Sequence, residues 1–121
     1  EGPNNNLGIP GLRMVEVTNA SVAQLNPYFE RLLPPLTAKK YTDFVGESNP
    51  TFFTCWLGNN DVLGYATRGG DSTGIFVSGQ YPTSTQGIPG TITATPLFNA
   101  SVDSLINKLT ANGAKGAVAT I

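Results

Sequence analysis

The sequence predicts a mainly antiparallel β domain carrying two or three short helices. Two frames satisfy that prediction: a jelly-roll-like β-sandwich, and an α+β arrangement with helices on one side of a single sheet. Three observations carry it. The 121 residues are rich in Gly, Thr, Asn, Pro and Ser, with 14 Gly and 9 Pro, which is the chemistry of turns and loops. The middle of the chain alternates aromatic and β-branched runs with Gly/Asn clusters. The clearest helical spacing lies late, at Val102, Leu105, Ile106 and Leu109.

Taken in order, Glu1 to Asn6 is polar and without periodicity, so residues 1–11 read as a linker or tether and 12–121 as one globular β-rich domain. Gly8-Ile9-Pro10-Gly11 is followed by an extended run, Leu12 to Thr18, and then by Asn19-Ala20-Ser21, an N-cap signal. Gly87-Ile88-Pro89-Gly90, Thr91 to Phe98 and Asn99-Ala100-Ser101 repeat that order. The match is either an internal repeat of strand then helix, or a coincidence of two common local signals. The first helix is short. Pro27 interrupts or restarts it, Pro34-Pro35 ends it, and Tyr28, Phe29, Leu32 and Leu33 anchor it to the core.

Tyr41 to Val45 and Ile92 to Leu97 are strand candidates. Thr51 to Leu57 and Val62 to Arg68 flank Gly58-Asn59-Asn60-Asp61, and Asn59-Asn60 can form a tight hairpin turn. A third strand is expected from Ile75 to Tyr81. The hairpin register puts Phe53, Cys55, Leu57, Val62 and Ala66 on one face, and Phe52, Trp56, Leu63 and Tyr65 on the other. Both faces are apolar, so both need cover, from the domain itself or from a second molecule. The last helix runs from Ser101 to Asn112, with Gly113 as its left-handed stop. Ala117 to Ile121 reads as a final strand.

Composition narrows the chemistry. There is no His, and seven basic residues face eight acidic ones for a net charge of −1. Without imidazole, a Ser or Cys nucleophile lacks its usual base, and the expectation is a non-enzymatic protein. No paired-carboxylate pattern stands out. Zinc ligand clusters are absent from the sequence, and no cofactor or metal is expected. Asp61 or Asp71 could ligate a cation with loop carbonyls, but solvated loop carboxylates are the better reading. Lys39-Lys40 is the only basic pair, which argues against direct nucleic-acid binding, and no apolar run is long enough for membrane insertion. Cys55 is alone in Phe52 to Leu57 and reads as a buried small hydrophobe. Arg68-Gly69-Gly70-Asp71 is a flexible turn, and the Asn19 and Asn99 glycosylation triplets coincide with N-caps. The loops at Asn59, Asn60, Asp71, Ser72 and Thr73 offer amides and hydroxyls near Trp56, Tyr65 or Tyr81, the pairing that carbohydrate recognition uses.

The Thr/Gly/Asn/Pro-rich runs, the low charge, the single cysteine and the polar entry segment together resemble the C-terminal protruding (spike) domain of small icosahedral RNA virus capsids, in particular the nodavirus-like viruses of shrimp and prawn. The helix at Ser101 to Asn112 departs from an all-β pattern. The resemblance implies a domain on the virion surface, outside the capsid shell, that pairs into homodimers and meets a host-cell receptor or glycan. Phe52, Trp56, Leu63 and Tyr65 are then the candidate dimer surface. Asn59, Asn60, Asp71, Ser72 and Thr73 are the candidate receptor contacts. The alternative is a carbohydrate-binding or adhesion module of a microbial surface or phage protein.

Overall fold

The computed structural model describes residues 5–22, 26–30, 37–67, 69–70 and 92–119. The expected strand at 75–81, the contact candidates Asp71, Ser72 and Thr73, and the anchors Leu32 and Leu33 lie outside them. The described elements are a 3-10 turn at Met14–Glu16, α1 (Pro27–Glu30), α2 (Tyr41–Ser48), β1 (Phe52–Cys55), α3 (Asn59–Thr67), α4 (Thr95–Thr110) and β2 (Lys115–Val118). The mainly antiparallel β expectation is therefore corrected. About half of the described residues are helical, in a small α+β arrangement. Its only sheet among the described residues is a parallel pair. Phe52 faces Lys115 and Cys55 faces Val118. Parallel strands cannot be joined by a tight turn, and here α3 and α4 both lie between them in the chain.

The hairpin fails at its turn. Positive φ falls on Gly58 (120°) and not on Asn59 or Asn60, and those two asparagines open α3. Asp61 sits in the first turn, where a carboxylate favours the helix dipole. The run Val62-Leu63-Gly64-Tyr65-Ala66 suits a strand and a helix equally, because five residues are too few to separate the two periods. Bonds to Asp61 from distant parts of the chain settle it, as described below.

Tyr41 to Val45 is likewise helical. Tyr41 and Val45, four apart, are both buried on the inner side of α2. The Asp43 carboxylate accepts the Lys40 N–H at 3.3 Å, and Asn49 closes the helix in the left-handed conformation, φ 44°. In α1, Asn26 Oδ1 accepts the N–H groups of Tyr28 (3.0 Å) and Phe29 (3.3 Å). Asn26 is thus the N-cap and Pro27 the first helical residue. The expected strand at Leu12 to Thr18 is a 3-10 turn flanked by irregular chain, so the described parts of the two similar segments do not share a strand-then-helix form.

The late helix has the expected apolar face but begins earlier, at Thr95, with Pro96 in its first turn. Asn99 is consequently inside the helix and exposed, not its cap. Ser101, Leu105 and Leu109 are buried, and Phe98, Val102 and Ile106 pack beside them. Gly113 takes the left-handed position (φ 81°), and its N–H returns to the Thr110 carbonyl at 2.8 Å.

The core joins this stripe to Leu12, Met14, Val17, Phe29, Tyr41, Val45 and Cys55. Phe29 is its aromatic centre, with the Tyr41 ring at 6.1 Å and the Phe44 ring at 5.5 Å. Residues 5–11, expected as the end of a tether, pack against the body. Ile9 is buried, Leu7 O accepts the Tyr41 hydroxyl at 3.0 Å, and Pro10 O accepts the Asn26 amide at 3.1 Å.

Candidate functional site

β1 alternates as expected along its length. Cys55 is buried and Phe53 half-buried, whereas Phe52 and Trp56 are 64% and 76% exposed. Cover for both sides from within the domain is not found among the described residues. The four residues expected on one sheet face do not share one. Phe52 and Trp56 belong to β1 and its exit, Leu63 is exposed on α3, and Tyr65 is half-buried with its hydroxyl beside Gly70. They separate because residues 59–67 coil and do not fold back as a second strand.

Between β1 and residues 5–11 runs a groove of about 860 Å³. Its lining includes the buried side chains Tyr41, Val45, Leu105 and Leu109, together with Phe52 and Trp56. At the carboxyl end of β1 it reaches Leu57, Asn59 and Asn60. Among the described residues no Asp, Glu, Lys or Arg lines it; the polar groups they supply are asparagine amides, Ser48, Thr54, the Tyr41 hydroxyl and backbone. The carboxyl end of a parallel strand is where open α/β sheets place their ligands, because the loop there runs into a helix N-terminus with free N–H groups.

The loop is held rigidly. Asn60 donates from Nδ2 to the Leu12 carbonyl at 3.0 Å. An asparagine amide has two N–H bonds, and the second is uncommitted among the described residues. Asp61, read from sequence as a solvated loop acid or cation ligand, is 1% exposed. Its carboxylate accepts the N–H of Met14 (2.5 Å) and Val15 (3.2 Å) and the Thr93 hydroxyl (2.7 Å). Its carbonyl accepts the Thr93 N–H at 3.2 Å. The sequence signal that could have found it is an acid three residues after Gly58, in the first turn of a helix that follows a strand. Among the described residues no group of three His, Cys, Asp or Glu could hold a metal ion, and none of their helices is long and apolar enough to cross a membrane.

Burial also tunes two groups beside the groove. The Tyr41 phenol is pushed up to about 12 by desolvation, with a smaller contribution from Cys55. The Cys55 thiol is pushed up by burial, partly offset by a hydrogen bond from the Leu57 backbone. A thiol held protonated is a poor nucleophile. Comparison of the chain with protein-family models, curated proteins and solved structures finds no match.

Proposed function

We propose that this chain binds a neutral, oxygen-rich ligand, a carbohydrate, in the groove at the carboxyl end of β1. The observation that carries the reading is the groove's uncharged lining, in which the exposed Trp56 and Phe52 stand beside the asparagine amides of Asn59 and Asn60. A sugar presents C–H faces that lie on aromatic rings and hydroxyls that pair with amides, and it has no charge to neutralise. Asn60 is the donor to a ligand oxygen, through the N–H that Leu12 does not use. Titration calorimetry against a panel of neutral oligosaccharides tests this. Binding is expected, weakened about tenfold by Trp56→Ala and by Asn60→Ala. A panel without any binder refutes it.

The virion-surface module is the second proposal. Its support is the exposed apolar pair Phe52 and Trp56, since a self-pairing surface centres on aromatic residues. In this reading two copies associate through these residues as a capsid spike, and a host-cell glycan is met at Asn59 and Asn60. Light scattering at high concentration is expected to report a dimer that Trp56→Ala weakens. A strict monomer removes the pairing.

A further inference from the structure

We infer that Asp61 is the positioning residue of the groove, acting on it through Asn60. This rests on the reading of the groove as the ligand site, and it assigns a buried group that never touches the ligand.

The connections are long-range. Through its carboxylate and carbonyl, Asp61 binds residues 46 and 47 positions before it and one 32 positions after it. Asn60, next in the chain, meets Leu12, two residues before Met14. One peptide unit thus ties α3 to the 12–15 segment and to the chain entering α4. Among the described residues no Lys or Arg pairs with Asp61, and the ion pairs are Arg13–Glu16 and Lys39–Glu47. The partners its carboxylate has among them are N–H and O–H donors, which are more directional than an ammonium point charge. Directionality is what a positioning group needs. Rotation of the first turn of α3 breaks the bonds to Met14, Val15 and Thr93, so the Asn60 amide is held in one orientation at the groove. A site built this way meets its ligand without reorganising, which favours affinity.

Five variants of the full chain test it, read by the Asn60 side-chain NH2 signals in nitrogen–proton NMR spectra and by the affinity for the best neutral oligosaccharide. Thr93→Val removes one donor to Asp61 and leaves the carboxylate in place. It should shift the Asn60 signals, speed their hydrogen exchange and weaken binding about tenfold. Thr93→Ser, which keeps the hydroxyl, should restore both. Asp61→Asn should act as Thr93→Val does, more strongly. Val22→Ala, a core change that neither lines the groove nor bonds Asp61, lowers stability and should leave the Asn60 signals where they are. Unchanged Asn60 signals in folded Thr93→Val overturn the positioning role. So does the same shift in Val22→Ala, which would report general loosening. If Asn60→Ala binds as well as wild type while Thr93→Val still moves the signals, the ligand reading fails and the positioning of Asn60 stands.

Discussion

Replacing Asp61 by Ala tests the central claim about how this domain is held together. The side chain is 1% exposed and serves three donors: the Met14 and Val15 N–H groups and the Thr93 hydroxyl. Each buried donor left without a partner costs about 1–3 kcal/mol. The Thr93 hydroxyl can rotate to another acceptor, whereas the two N–H groups are fixed in the 3-10 turn. Counting those two fully and the hydroxyl at the low end gives a loss of about 3–7 kcal/mol. Against a total of about 5–15 kcal/mol for a domain, that is large enough to move a urea midpoint well outside error. Thr93→Val should cost only about 1 kcal/mol, because Asp61 keeps its two backbone donors. The double variant should lose little beyond Asp61→Ala, since both changes remove one shared bond. Urea unfolding followed by tryptophan fluorescence reads all three. An Asp61→Ala loss below about 1 kcal/mol, with an unchanged urea slope, refutes the reasoning.

Three further outcomes follow from the same structure. Tyr41 and Cys55 resist ionisation in the fold, so stability is level below the ordinary values of 9.0 for the thiol and 10.0 for the phenol, and falls as pH rises towards about 12. Tyr41→Phe should flatten that alkaline limb by up to about 1.4 kcal/mol per pH unit, and identical limbs would contradict the assignment. A Cβ on Gly116 would lie 2.5 Å from the Phe53 ring, its partner across the β1–β2 pair. Gly116→Ala should therefore destabilise by about 1–3 kcal/mol, and less so in a Phe53→Ala background, as thermal melts would show. Phe29→Ala should cost about 3–5 kcal/mol in the same melts, because a fully buried ring leaves a cavity beside Tyr41 and Phe44.

Several features were legible in the residues themselves. The face of α4 at Leu105 and Leu109 follows from helical spacing, and its stop at Gly113 from the left-handed freedom of glycine. The inward Cys55 and outward Phe52 and Trp56 follow from strand alternation in β1. The groove's neutrality follows from a chain with so few ionic groups. Asn59 and Asn60 both line the groove, but they open α3 and form no hairpin turn.

What composition and spacing determined, then, is local: which stretches hold apolar stripes, where a helix must stop, and that polar contacts would be made by amides and hydroxyls. Tertiary structure decided whether residues 59–67 coil or extend, that β1 pairs in parallel with β2, and that Asp61 is an internal anchor and not a wet loop acid. The physical reason is range. A five-residue run satisfies both periods, and the bonds that break the tie come from Met14, Val15 and Thr93, whose approach no local pattern encodes.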